Sequence, residues 1–203
     1  MSPKRPYVSP LRQQAAARTR ALILQYATEL FAERGYGRVT VADIAAATGV
    51  SAKTVFASVG SKGDILNQIV DQGVVASGYE NTMERLLKLD TPEAVLHALA
   101  EGTGAGNQGQ FTVHEAIRTA LPVHEDGEAL WERAMSAYRE ALASAARHLH
   151  TLNPPPRYSV EETADLLWFW FGPTGWRTLV VENGWSWEQA QSFLIRTAAA
   201  TLF

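Results

Sequence analysis

The run Thr40-Val41-Ala42-Asp43-Ile44-Ala45-Ala46-Ala47-Thr48-Gly49-Val50-Ser51-Ala52-Lys53-Thr54-Val55-Phe56 constrains the fold more than any other part of this 203-residue chain. Thr40, with Asp43 three residues on, opens a short helix as an approximate capping box. Ala45 is small where two helices must cross closely. Gly49 can take the positive φ needed to leave the first helix in a short turn. Val50 plugs the crossing, and Ser51 begins a second helix whose exposed N-terminal residues are Ala52, Lys53 and Thr54. Two helices joined in this way form a helix-turn-helix. The second can enter the major groove of DNA with its N-terminal side chains at base edges.

The flanks extend the helical pattern. In Thr19–Arg34 the residues Ile23, Ala27, Leu30 and Phe31 repeat at i, i+4, i+7 and i+8, one helical face, and Gly35 is placed to end it. Ser61 with Asp64 caps a fourth helix, expected from Lys62 to Lys88. Thr91-Pro92 starts a fifth. Gly102-Thr103-Gly104-Ala105-Gly106-Asn107-Gln108-Gly109 is too rich in glycine for a helix and reads as a mobile connection. Helices follow over Phe111–Leu121 and Gly127–Thr151, with an extended loop at Pro154-Pro155-Pro156. Ser159 and Glu162 cap a helix over Val160–Glu182, bent at Pro173. Ser186 caps the last, Trp187–Leu202. Alternating strand patterns are missing. The expected fold is all-α, about nine helices: a basic arm over 1–18, a three-helix helix-turn-helix domain over 19–61, and a larger helical body over 62–203.

Charge divides along the same line. Residues 1–62 hold nine basic and three acidic side chains, net +6, and the remainder holds nine basic and eighteen acidic, net −9. A basic head on an acidic body suits a phosphate-binding module on a carrier. The chain has no cysteine, which removes disulfides, thiolate metal sites and a Cys nucleophile. Of the five histidines, His148 and His150 stand two apart and point to different faces of a helix, so no metal site is expected. Motifs of metalloproteases, serine hydrolases and P-loops are absent. The longest apolar run, Leu166–Phe171, is too short to span a membrane. No enzyme activity, cofactor or membrane partner is expected, and the cytoplasm is the expected location.

Ala27, Leu30-Phe31, Gly35-Tyr36, Thr40-Val41, Ile44-Ala45, Gly49-Val50-Ser51, Thr54-Val55-Phe56, Ser61-Lys62 and Ile65-Leu66 together resemble the TetR family of transcriptional regulators, over residues 18–70. The resemblance implies a homodimer whose second and third helices read DNA. It also implies a C-terminal domain that binds a small molecule and thereby weakens operator binding. Carried over by position, Thr40, Ser51, Ala52, Lys53, Thr54, Phe56, Ser58 and Lys62 are the expected DNA-binding residues, with Thr40 and Lys62 at phosphates. The family's usual tyrosine is here Phe56, without a hydroxyl. Ser58, Val59 and Gly63 also depart from the pattern, and Lys53 and the basic residues from Lys4 to Arg20 are expected to compensate.

All six tryptophans lie in the C-terminal half. Leu166–Phe171 is apolar all round a helix, which implies burial on more than one side. Part of this is core. The rest is assigned, as the resemblance implies, to a subunit interface of the last two helices: Leu167, Trp170, Phe171 and Trp176, with Trp187, Ala190, Leu194, Thr197, Ala198 and Thr201. Phe111, His114, Arg118, Trp131, Tyr138, Trp168 and Phe171 are candidate lining for an apolar or aromatic effector. The expected function is that of a homodimeric regulator, a repressor released from a palindromic double-stranded operator by its ligand. An effector-independent or architectural DNA-binding protein is the alternative, and an all-helical enzyme or small-molecule carrier a further one.

Overall fold

The structure, a computed structural model, describes residues 10–76 and 79–203. The first helices are α1 (Pro10–Arg34), α2 (Val41–Thr48), α3 (Ala52–Val59), α4 (Lys62–Ala76) and α5 (Tyr79–Leu86). They are followed by α6 (Pro92–Gly109), α7 (Phe111–Ala120), α8 (Gly127–Leu149), α9 (Val160–Phe171), α10 (Pro173–Arg177) and α11 (Trp187–Leu202). No strand occurs among the described residues, and no helix among them is long and apolar enough to cross a membrane. The chain forms two compact units. One takes the chain up to Gln72 together with Glu115–Trp131; the other takes Gly73–His114 and Glu132–Phe203.

In the first unit, α1 buries Ile23, Ala27, Leu30 and Phe31, the stripe its periodicity predicts, and Leu24 besides. It begins at Pro10 rather than Thr19, so residues 10–18 of the expected arm are helical. The first nine residues of that arm, with Lys4 and Arg5, lie outside the described residues. Gly35, at φ 84°, ends α1 in the left-handed region. The α1–α2 turn is then pinned by a distant segment. Thr119 Oγ1 donates to the Phe31 carbonyl (3.0 Å) and accepts from the Tyr36 N–H (3.1 Å). The His124 ring lies edge-on to buried Tyr36, with centroids 5.4 Å apart.

In the second unit the glycine-rich segment 102–109 is the C-terminal half of α6, not a connection. Packing overrides the low helix propensity of glycine. A Cβ at Gly102 would stand 2.3 Å from Thr82 Cγ2 of α5, and one at Gly104 would stand 3.0 Å from Trp176 Cη2. Glycine therefore lets α5 and the buried Trp176 ring approach the helix axis. Between the glycines, Thr103 Oγ1 accepts from Trp176 Nε1 (3.3 Å) and donates to the Leu99 carbonyl (2.6 Å). The residues expected in one helix from Lys62 to Lys88 fall in α4 and α5, and residues 77–78 between them are outside the described residues.

Ser159 and Glu162 form the expected reciprocal cap of α9. The chain then breaks at Gly172-Pro173 rather than bending, because Gly172 is extended (φ −72°, ψ 166°) and Pro173 starts α10. Residues Thr178–Glu182 wind as a π-helical turn. Ser186 caps α11, accepting from the Gln189 N–H.

The residues assigned to a subunit interface are mostly core here, which corrects that assignment. Leu167, Trp170, Phe171, Trp176, Ala190, Leu194 and Ala198 are buried within this unit. The stripe Ala190-Leu194-Ala198 is present, but α11 packs it against α6, and its small residues permit that close approach. Trp187, Thr197 and Thr201 keep partial exposure, while Phe169 is 70% exposed.

Candidate nucleic-acid interface

Each helix of the reading pair starts at a side-chain cap. The Thr40 N–H and hydroxyl donate to Asp43 Oδ2 (2.8 and 2.6 Å), and Thr40 Oγ1 accepts from the Asp43 N–H (3.1 Å). The bonds from Thr40 hold the Asp43 carboxyl below the usual carboxylate range, its side chain first and its backbone second. α2 closes on Gly49, at φ 70°, whose N–H reaches back to the last turn. Ser51 then caps α3, accepting from the Thr54 N–H at 3.1 Å.

α3 buries Val55 and Val59 and turns everything else outward. At 100° per residue, Lys53 and Ala57 run along the middle of the outer face. Ala52 and Phe56 flank them on one side, Thr54 and Ser58 on the other. Ala52, Lys53, Phe56 and Ala57 are exposed, with Thr54 and Ser58 half-buried. Ser51, Ala52, Lys53, Thr54, Phe56 and Ser58 are thus brought together on one short surface. Arg20 Nη1 donates to the Ser58 carbonyl (2.9 Å), tying the end of α3 to α1.

Two expected phosphate ligands are otherwise engaged. The Thr40 hydroxyl both donates to and accepts from Asp43, so its capacity is used in the cap. Lys62 does not reach outward: Nζ donates to the carbonyls of Tyr36 and Val39, 3.0 Å each, and lies 4.2 Å from the Tyr36 ring centroid. Desolvation by burial lowers its pKa. Lys62 is a clamp on the α1–α2 turn. Ser61 and Asp64 repeat the Thr40–Asp43 device at the start of α4, the Ser61 N–H and hydroxyl donating to Asp64 Oδ2 (2.8 and 2.7 Å).

The supporting roles of Thr119 and His124 are not legible in the sequence. Their partners are more than eighty residues away, and no local spacing announces such a contact. Tyr36 is legible only as part of a motif.

The candidate effector residues divide between the units. Arg118 and Trp131 belong to the first, where Arg118 pairs with Glu115 through two bonds of 3.0 and 2.8 Å. Phe111, His114, Tyr138, Trp168 and Phe171 belong to the second. Three of these are in contact: Tyr138 meets Trp168 edge-on at 5.6 Å, and its hydroxyl donates to the Phe171 carbonyl. That hydroxyl also accepts from Asn107 Nδ2 at 3.1 Å. Burial pushes the Tyr138 pKa up, against the opposing pull of bonds from Asn107 and Thr103. The Arg139 guanidinium lies over the Trp168 ring at 4.0 Å. Sequence reasoning passes over Asn107 and Thr103 because their segment reads as a connection, although their i, i+4 spacing places both on one helical face.

A capped pair of helices joined by a left-handed glycine, presenting a short polar and basic surface, defines a helix-turn-helix DNA-binding protein of all-helical build. Residues 23–69 match the model of bacterial regulatory proteins of the tetR family. The reader is thus similar to that of the TetR family of transcriptional regulators. Beyond the reader the likeness is one of fold. A transcriptional regulator from Saccharomonospora viridis in complex with choline aligns with a TM-score of 0.73 at 21% identity, covering 92% of this chain and 98% of that one. PfmR from Thermus thermophilus, a TetR family transcriptional regulator, gives 0.66 at 19%, covering 92% and 95%. FadR from Bacillus subtilis in complex with stearoyl-CoA gives 0.69 at 14%, covering 90% and 99%. No curated protein matches the sequence.

Proposed function

We propose that this protein is a homodimeric, sequence-specific regulator, a repressor released from a palindromic operator by a small apolar or aromatic ligand. The outward face of α3 carries the reading. Its side chains are small or singly charged apart from the Phe56 ring, Ala52, Lys53, Phe56 and Ala57 stand exposed, and the Ser51 and Thr54 hydroxyls pair with each other at the capped helix N-terminus. Lys53 supplies the positive charge of that face and is the expected base contact.

The ligand part rests on the second unit. Similar folds are held in complex with choline and with stearoyl-CoA. A quaternary ammonium favours aromatic faces and an acyl chain favours apolar walls, and the half-buried rings of Tyr138 and Trp168 are of the first kind, whereas Phe171 is core. The dimer is proposed to form through the exposed sides of α9 and α11, with Phe169 as its apolar anchor.

The test is a random-library selection with the purified protein, followed by titration of the selected DNA. A palindromic consensus whose affinity drops on Lys53→Ala is the expected result. If the protein retains no sequence over background, the regulator reading fails. Release by a ligand is then read as a loss of DNA affinity of about 5–150-fold, the usual range of coupling.

A further inference from the structure

We infer that Phe56 is a specificity residue that reads the 5-methyl group of a thymine in the major groove. This rests on the proposed DNA-binding function and names what one position of α3 recognises.

A single exposed apolar side chain carries no meaning in itself, since every protein surface has some. Position gives Phe56 its meaning. It is 54% exposed on the outer face of α3, one turn after Ala52 and beside Lys53 and Ala57. The neighbours Ala52 and Ala57 are too small to hold the helix away from a surface it approaches. A ring on such a helix therefore comes close to whatever lines the groove.

Among the base edges, the chemistry of the groove then singles out one apolar partner. Phe56 has no donor or acceptor, so it makes no hydrogen bond to a phosphate or to a base edge. Facing a phosphate, it would strip water from an anion and return nothing. The major-groove edges of guanine, cytosine and adenine present hydrogen-bonding atoms, whereas thymine alone also presents an apolar group, its C5-methyl. Burying that methyl against the ring removes apolar surface from water on both sides. Lys53, one helical step around, is placed to reach a neighbouring guanine or phosphate, which fixes the register in which the ring meets the base pair.

The experiment uses the full-length protein and its selected site, with each thymine replaced in turn by deoxyuridine, which lacks only the methyl. One position per half-site is expected to lose about fourfold in affinity, the size of one buried methyl group. Phe56→Ala should bind more weakly and show no loss at that position. Phe56→Leu, still apolar, should keep part of it. Because the side chain is exposed, both variants are expected to unfold at the wild-type denaturant concentration. Uridine-insensitive binding by the wild type, or equal sensitivity in Phe56→Ala, overturns the methyl contact while leaving the regulator reading intact. Failure to select any DNA overturns both.

Discussion

Lys62 stands where the motif expects a phosphate ligand, yet its ammonium is held by two carbonyls and a ring. Charge-assisted hydrogen bonds of this kind contribute about 1.5–3 kcal/mol, and removing the donor leaves the carbonyls without it. Lys62→Ala is therefore expected to lower the unfolding free energy by about that amount while leaving the salt dependence of DNA binding unchanged. Lys53→Ala should do the reverse: near-native stability, with affinity for the preferred site lower by about 1–3 kcal/mol. Denaturant unfolding and salt-dependent titration of both variants separate the two roles. The motif locates both lysines; it does not show which way each side chain turns, since for Lys62 that depends on carbonyls twenty-three and twenty-six residues earlier.

Asp43 and Asp64 add a pH dependence. The folded carboxyls, hydrogen-bonded by Thr40 and Ser61, have depressed pKa values. The folded chain thus takes up protons less readily than the unfolded chain, whose aspartates titrate near about 3.9. Their contribution is complete above that value and is lost as pH falls through the depressed ones. In Asp43→Asn/Asp64→Asn, the loss of stability between about pH 5 and pH 2 is expected to be shallower than in the wild type, as followed by helical circular dichroism.

Among elements, α6 shows how tertiary contact reverses a local reading. Its glycines fall into two kinds. A methyl at Gly102 meets Thr82 at contact-forbidden distance, whereas a methyl at Gly106 meets nothing within 4 Å. Gly106→Ala is expected to stabilise the protein by about 0.5–1 kcal/mol through helix propensity alone. Gly102→Ala should destabilise it despite the same gain, because α5 must move. Thermal unfolding of the pair checks both signs. Periodicity and caps are enough to place α2, α3 and α11, the buried stripe and end of α1 and the start of α9, because those signals lie within a few residues of each other. The glycine segment misleads because what makes it helical, Thr82 and Trp176, lies on other elements. The break at Gly172-Pro173 is legible as proline chemistry, but the Tyr138 hydroxyl that satisfies the Phe171 carbonyl there is not. Tyr138→Phe is expected to cost about 1–3 kcal/mol, since it leaves that buried carbonyl without a donor.

At the scale of the whole molecule, the apolar side chains of the last helices build the second unit's own core. Leu194→Arg would place an unpaired charge among residues of α6 and α9 and is expected to give misfolded protein rather than folded monomers. Phe169→Arg changes an exposed position and should leave the fold intact. If α9 joins two copies as proposed, sedimentation of that variant will report monomers at concentrations where the wild type is dimeric. A dimeric Phe169→Arg protein would move the interface elsewhere. The amphipathic stripe of α11 is correct as a stripe; sequence alone does not say whether its partner is α6 or a second copy, because both present apolar surface.

The reader unit also bears on how such proteins can be recombined. Thr119 bridges the Phe31 carbonyl and the Tyr36 N–H, and His124 leans on the Tyr36 ring, so this head is assembled from two stretches that are far apart in the gene. A chimera that joins residues 1–72 to a foreign body would leave those two backbone groups facing the wrong neighbours. A transplant that carries Glu115–Trp131 as well keeps them paired. The unit of exchange for building a sensor with a new input is therefore a discontinuous one, and its seam cannot be a single cut.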